Sequence, residues 1–286
     1  KVNLDFNKEF ISTFSEKIEN GNVEFINQTL NDLHEADVAN LIENLSVGTR
    51  IKLIELESFD INPEIFIELN ESVQSEVLQL LSIDSVIKII KRLESDNAIK
   101  ILENLEKDVK EKVLEKLPPK DKFLLEEGLS YPEDSAARIM QREFTAVPSN
   151  WTVGQTIDYL REDKDLPEEF LEIFIVDSDF KPIGTVPSSR VLRTARELKM
   201  NSIMNEMPVL ISANMDQEEV GQAFENYNLV SAGVVNKNNK LVGMITVDDV
   251  VTVVQEEAEE DVLRLAGVGD EEITDSVMVK TKRRFN

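Results

Sequence analysis

Two stretches of equal length decide the fold of the second half of this chain. Residues 176–192 read VDSDFKPIGTVPSSRVL and residues 235–251 read VNKNNKLVGMITVDDVV, and the two align without gaps at an offset of 59. Each joins one apolar run to another through residues that favour tight turns, DSD in the first and NKNN in the second. Gly184 and Gly243 occupy matching positions after the turn, where a missing side chain lets another backbone approach closely. The pattern predicts a strand, a turn, a strand and a helix, twice.

The same repeat extends upstream of both stretches. Ile139-Met140 matches Ile203-Met204, and a helix start at Thr152-Val153 matches one at Asp216-Gln217. Each unit therefore consists of a lead segment, a helix, a strand, a turn, a strand and a second helix. Alternation of strands and helices predicts an α/β fold for this half of the chain.

The first 130 residues predict helices only. Their apolar residues recur at steps of three and four, which is typical of helices packed on one face. A twelve-residue repeat covers Ser82–Leu93, Glu94–Leu105 and Glu106–Leu117, and Pro118-Pro119 ends it, since proline cannot continue a helix. Helices this short are unstable alone but stable when stacked, so we expect an all-α superhelical domain.

The composition restricts the partners and the chemistry. The chain carries 56 acidic and 31 basic residues, a formal net charge of −25, so nucleic acid is not an expected partner. It has no cysteine and one histidine, His34, whose setting suggests a solvated or capping role at a helix start. A bound metal must then take oxygen ligands, which favours Mg²⁺, Ca²⁺ or Mn²⁺. No paired histidine, cysteine or glycine-rich loop accompanies the carboxylates, so an enzyme is not expected.

The sequence also contains no candidate membrane segment. No run approaches the roughly 20 apolar residues that cross a bilayer, and no secretory signal opens the chain, so we expect a soluble, cytoplasmic piece.

The densest group of acids is the run QEEAEED at residues 255–261, on a helix that continues from Asp248-Asp249. Glu256 and Glu260 lie four residues apart, as do Glu257 and Asp261, so like charges share neighbouring faces of the helix. Such a helix face is either simply solvated or is stabilised by a divalent cation. The residues alone leave both readings open.

The duplicated strand–turn–strand motif, with LVGMITVDDV at residues 241–250, resembles the CBS domain, and two in tandem resemble a Bateman module. A helical repeat domain, two such units, an acidic helix and the basic run at residues 280–285 together are similar to the cytosolic part of the MgtE family of magnesium transporters. The resemblance implies a helical domain over residues 1–131, CBS domains over 132–200 and 201–254, and a linking helix over 255–286. It further implies a homodimer formed through the CBS domains and a transmembrane domain of the same protein at the cytoplasmic face of the cell membrane.

The resemblance also implies Mg²⁺ sites between the helical domain, the CBS pair and the linking helix. The positions that match acidic ligands are Glu64, Asp96, Glu218, Asp249, Glu257, Glu260 and Asp261. This chain departs from the family pattern at Lys100, Asn228 and Thr252, which stand where acids are expected, although the Asn228 carbonyl oxygen still suits a cation. The implied mechanism closes the pore at high intracellular Mg²⁺ by bridging acidic surfaces.

An adenosine nucleotide is the alternative ligand. CBS clefts that hold such nucleotides commonly use a glycine, two apolar residues, a hydroxyl and an acid three residues later, which the second repeat matches with Gly243, Thr246 and Asp249. The first repeat has Pro187 and Arg190 at the matching positions and does not fit. Asp249 therefore belongs to both hypotheses, a magnesium sensor and a nucleotide-sensing interaction module.

Overall fold

The structure is a computed structural model that describes residues 6–56, 62–167, 170–207 and 209–265, without the side chains of residues 71, 259–261 and 263–265. The chain divides into two compact units, residues 1–130 and 131–286, and each is described by itself. Within the described ranges, no helix combines the length and the apolar character that a membrane crossing requires.

The first unit is built from short helices. In its described residues these are α1 (Lys8–Glu19), α2 (Val23–Asn31), α3 (Glu35–Glu43), α4 (Val47–Glu55), α5 (Pro63–Glu68), α6 (Glu71–Leu80), α7 (Ile83–Ile90), α8 (Ser95–Glu103), α9 (Lys107–Lys116) and α10 (Pro119–Leu129). The N-caps of α7, α8 and α9 are Ser82, Glu94 and Glu106, which reproduces the predicted twelve-residue spacing. One apolar cluster running from Phe14 to Leu125 forms the core.

Polar caps explain where several of these helices begin. Ser82 accepts a hydrogen bond from the Ser85 backbone N–H at the start of α7. His34 Nδ1 accepts one from the Ala36 backbone N–H at 3.3 Å, so the histidine caps α3, as predicted.

The second unit contains two small α/β repeats. The first comprises β1 (Ala146–Pro148), α11 (Val153–Glu162), β2 (Glu172–Val176), β3 (Pro182–Pro187) and α12 (Ser188–Arg193). After a 3₁₀ turn at Met200–Ser202, the second comprises β4 (Ile211–Ser212), α13 (Gln217–Tyr227), β5 (Ser231–Val235), β6 (Leu241–Thr246) and α14 (Val247–Leu265). Each repeat forms a three-stranded sheet with one parallel and one antiparallel pairing, in the orders β1-β2-β3 and β4-β5-β6. The predicted all-α half followed by an α/β pair is confirmed.

The lead segment that precedes each repeat in the chain packs on the other repeat. Ala136 N–H donates to Met215 O at 2.7 Å, and in the matching place of the first repeat Met200 N–H donates to Trp151 O at 2.8 Å. We call residues 134–141 the first lead segment. It therefore lies along the second repeat, where Gln141 exchanges two backbone hydrogen bonds with Met244 on β6.

The two repeated glycines permit this exchange. A Cβ atom on Gly243 would lie 2.8 Å from the Gln141 carbonyl oxygen, and one on Gly184 would lie 2.6 Å from the carbonyl oxygen of Asn205. These are distances that real Cβ atoms do not adopt, so the predicted close backbone approach is confirmed at both positions. The turns match as well, with Phe180 and Asn239 both in left-handed conformations at φ 63° and 59°.

Candidate functional site

The acid-bearing helix α14 continues without a break from the last strand of the second repeat to Leu265. Its apolar face is anchored by the buried side chains of Val250 and Val253. Val254 approaches so closely that a Cβ on Gly221 of α13 would lie 3.3 Å from its Cγ2 atom. Gln217 Nε2 of α13 donates to Glu257 Oε1 at 2.6 Å. Because residue 217 meets 257 and residue 221 meets 254, α13 and α14 pack antiparallel.

The antiparallel packing separates the predicted ligands of the second unit into two groups. Glu218 lies in the first turn of α13, at the end that meets Glu257, and its side chain is exposed. Asn228 caps the other end of α13 in a left-handed conformation and lies toward Asp249. Ten residues of helix correspond to about 15 Å, so these two groups cannot share one ion.

Asp249 already performs a structural task. Its Oδ2 atom accepts from Thr246 Oγ1 at 2.6 Å, from Thr246 N–H at 3.3 Å and from Gln141 Nε2 at 3.3 Å. The bond from the backbone N–H of the residue before α14 to a side chain three residues later is one half of a capping box. Asp249, which both the magnesium and the nucleotide hypotheses predict as a ligand, thus also fixes the start of α14. It holds the first lead segment to that helix as well.

The matching place in the first repeat uses different chemistry. Arg190 Nη1 donates to the Ile203 carbonyl oxygen and to Asn205 Oδ1, each at 2.7 Å. Asn205 and Gln141 both belong to lead segments, so each repeat fixes its partner's lead segment through the side chain at position 190 or 249. Arg190 is therefore already engaged by protein acceptors.

In the first unit, the predicted ligands occupy helix starts. Glu64 lies exposed in the first turn of α5, and Asp96 lies in the first turn of α8 with only 7% of its surface accessible. Partial desolvation of this largely exposed carboxyl, with further contributions from the neighbouring carboxylates of Glu35 and Glu68, raises the pKa of Glu64 above its ordinary value of 4.5. The part of this shift that comes from the neighbouring carboxylates of Glu35 and Glu68 reflects a negative local potential, in which an added positive charge is favourable.

The acids at the far end of α14 complete the prediction. Glu260 and Asp261 lie on α14, but their side chains fall outside the described residues. Among the side chains that the structure does describe, no three carboxylates or histidines come together as a ready-made metal site. The donor chemistry suits a hard cation such as Mg²⁺, since every predicted ligand offers oxygen.

Sequence reasoning missed Gln141 and Gln217, the amide donors that hold Asp249 and Glu257. Neither glutamine belongs to a motif, since Gln141 lies in the first lead segment and Gln217 is the first residue of α13. The predicted repeat alignment paired Gln217 with Val153, but only the exchanged lead segments bring Gln141 to α14.

Comparison with known proteins agrees with this architecture. The MgtE intracellular N domain matches residues 33–134, and the CBS domain matches residues 136–197 and 200–256. The magnesium transporter MgtE of Enterococcus faecalis is 27% identical over 161 residues, which are 56% of this chain and 36% of that protein. The magnesium transporter MgtE of Bacillus subtilis is 30% identical over 141 residues, which are 49% of this chain and 31% of that protein.

A solved structure shares the fold over most of the chain. It is the cytosolic domain of the Mg²⁺ channel MgtE in complex with ATP, with 25% identity and a TM-score of 0.77, and the match covers 85% of this chain and 99% of that one. The chain spans about a third of the length of the two transporters that it matches. It is therefore a member of the MgtE family and carries the family's intracellular N domain followed by two CBS domains.

Proposed function

We propose that this chain is the cytosolic, Mg²⁺-sensing region of a magnesium transporter, and that it acts by regulation rather than by catalysis. The observation that carries this proposal is the continuous helix α14, which begins inside the second CBS repeat and continues from it into the acidic run at residues 255–261. A relative of the same fold is itself the cytosolic domain of a Mg²⁺ channel. The cytoplasmic face of a membrane is the location that follows.

The charges on α14 supply the physical basis of regulation. Glu256 with Glu260, and Glu257 with Asp261, are like-charge pairs four residues apart, each of which costs a few tenths of a kcal/mol in a helix. Bound divalent cations would neutralise these acids together with those of the N domain. When the cations leave, the carboxylates repel one another, and the helix loosens from its neighbours. Several ions are needed, because each shifts the equilibrium only by its preference for the closed state.

The proposed ligands are Glu64, Asp96, Glu218, Asn228, Asp249, Glu257, Glu260 and Asp261. The ligands proposed in the second unit do not all lie at one place, which fits several separate ions better than a single cluster. Glu218 and Glu257 are proposed to bind an ion near the start of α13. Asn228 and Asp249 are proposed to bind another near its end.

Titration calorimetry with Mg²⁺ tests the contribution of α14. The variant Glu257→Gln, Glu260→Gln, Asp261→Asn should weaken binding at least about tenfold, which is about 1.4 kcal/mol. A matched control removes three exposed acids at the N-cap of α9 and on α9, Glu106→Gln, Glu111→Gln and Glu115→Gln, with the same change in net charge. Equal weakening in both variants would show that only net charge matters, and would refute a site on α14.

We also propose that the CBS pair forms a homodimer. Four exposed apolar residues occupy matching positions in the two repeats, namely Leu171 with Val230 and Leu192 with Val251. Leu192 and Leu171 are 78% and 70% exposed, and their counterparts in the second repeat are exposed as well, so both repeats present apolar surface at matching positions, as an interface would require. Replacing Leu192 and Val251 by Asp should yield monomers in sedimentation equilibrium, whereas Phe123→Asp, which changes an exposed apolar residue on α10, should not. Monomers in all three proteins, including the unchanged chain, would contradict the dimer.

A nucleotide is the second candidate ligand, because the relative with the same fold is in complex with ATP. Thr246 and Asp249 are the proposed contacts, and Asp249 would have to exchange its present donors for ribose hydroxyls. Equilibrium dialysis with ATP should show binding that Asp249→Ala abolishes and that the α14 triple variant retains. Binding that survives Asp249→Ala would remove these contacts from consideration.

A further inference from the structure

Besides the two backbone bonds between Gln141 and Met244, three backbone hydrogen bonds hold the first lead segment on the second CBS repeat. Ala136 N–H donates to Met215 O at 2.7 Å, Ala137 N–H donates to Ala213 O at 3.0 Å, and Gln217 N–H donates to Asp134 O at 2.9 Å. This segment follows within a few residues of Leu129, where α10 ends. The chain that leaves the helical unit therefore docks directly at the start of α13.

Gln217 forms hydrogen bonds to two separate segments, one through its backbone and one through its side chain. Its backbone N–H binds the first lead segment through Asp134, and its side-chain Nε2 binds Glu257 on α14 at 2.6 Å. A hydrogen bond to an ionised carboxylate is about twice as strong as one between neutral groups. One residue thus joins the segment that enters the second unit to the helix that leaves it.

Comparison with the first repeat shows which bond of Gln217 the fold requires and which bond only its side chain provides. Val153 holds the place of Gln217 there, and its backbone N–H makes the matching bond to Leu198 O at 2.8 Å. The exchanged topology therefore needs only the backbone donor, which any residue but proline supplies. The first repeat ends in the short helix α12, which has no long continuation to hold. The amide side chain occurs only in the repeat from which a long helix emerges.

We propose that Gln217 is a positioning residue that couples the first lead segment to α14 through Glu257. When the first lead segment moves, Gln217 moves α14 with it, and the first CBS repeat takes no part in this coupling. In the absence of divalent cations, the same bond holds Glu257 against the first turn of α13, which also carries Glu218. This inference extends the proposed regulation, but its test in metal-free solution does not depend on magnesium binding.

The side-chain bond is tested by measuring the order of α14. The chain has no cysteine, so Gln222→Cys and Val262→Cys, at two exposed positions on α13 and α14, provide unique sites for paired spin labels. In chelator, Gln217→Leu should broaden the distance distribution between them, and Gln217→Glu should broaden it further, since it sets two carboxylates against each other. The exchanged pair Gln217→Glu with Glu257→Gln restores a donor facing an acceptor, and should restore the narrow distribution.

The coupling is tested from the opposite side by amide hydrogen exchange. Glu257→Leu removes the side-chain bond and leaves the Gln217 N–H to Asp134 O bond in place. If the two segments are coupled, exchange of the Gln217 amide should accelerate, because coupling between sites is reciprocal. Exchange of the Val153 amide is the internal control and should not change.

Two results would overturn the proposal. The first is an unchanged spin-label distribution in Gln217→Leu, and the second is an unchanged Gln217 exchange rate in Glu257→Leu. Failure of the exchanged pair to restore order would assign the effect of Gln217→Leu to packing rather than to the hydrogen bond, and would overturn it too. A chain that passes these tests but does not bind Mg²⁺ would refute the magnesium proposal alone.

Discussion

Replacing Gly243 by alanine should destabilise the second unit through the lead segment. The new Cβ would lie 2.7 Å from Met140 Sδ and 2.8 Å from the Gln141 carbonyl oxygen. The methionine side chain can move aside, but the carbonyl is held by the Met244 N–H at 2.9 Å. The lead segment must therefore shift away from β6 or the strand must bend.

The magnitude follows from these two contacts. Overpacking a dense interior costs about 1–3 kcal/mol, and weakening one backbone hydrogen bond adds about 1 kcal/mol. We expect a loss of about 2–4 kcal/mol in the free energy of unfolding of the second unit. Gly184→Ala, with its Cβ 2.6 Å from the Asn205 carbonyl oxygen, should cost a similar amount.

Urea denaturation followed by the fluorescence of Trp151, the single tryptophan, reports on the second unit. Gly48→Ala is the matched control, because a Cβ there meets no atom within 4 Å and the residue lies in the first unit. It should leave the Trp151 transition unchanged. A loss below about 0.5 kcal/mol for Gly243→Ala, the scale of an ordinary surface substitution, would refute the close-packed lead segment.

Three further predictions concern single side chains. Thr246→Val removes the hydroxyl that binds Asp249 and should cost about 1 kcal/mol in urea denaturation, with faster amide exchange in the first turn of α14. Asn239→Ala should cost about 1 kcal/mol, because alanine tolerates φ 59° poorly, whereas Asn239→Gly should be nearly neutral. The carboxyl of Glu64 should titrate above 4.5 in NMR, and its pKa should fall when Mg²⁺ binds nearby. Since the folded state holds that proton more tightly, the stability from Glu64 should decline as pH rises from 4.5 through the raised pKa, and Glu64→Gln should remove this decline.

The elements of this fold are predictable because their signals are local. The twelve-residue spacing placed the N-caps Ser82, Glu94 and Glu106, and the turn residues placed both hairpins. The exchange of lead segments has no such signal. It depends on backbone bonds such as Gln141 N–H to Met244 O, which join residues far apart in the chain and can be made by almost any residue type.

The site was predictable in its acids but not in their partners. Acids in one run are conspicuous, whereas Gln141 and Gln217 become donors only after distant segments meet. Thr246 and Asp249 show a second limit, because a hydroxyl followed three residues later by an acid is typical both of a nucleotide motif and of a capping box. The structure displays the capping bonds.

Small-angle scattering of the whole chain, titrated with Mg²⁺ at constant ionic strength, tests the central proposal of a cation-operated regulatory region most directly. Neutralising the α14 acids and those of the N domain should draw the acidic surfaces together. We therefore expect the radius of gyration to fall over the millimolar range, and to fall less in the Glu257→Gln, Glu260→Gln, Asp261→Asn variant. A radius of gyration that does not respond to Mg²⁺, with no heat in calorimetry, would contradict the proposal.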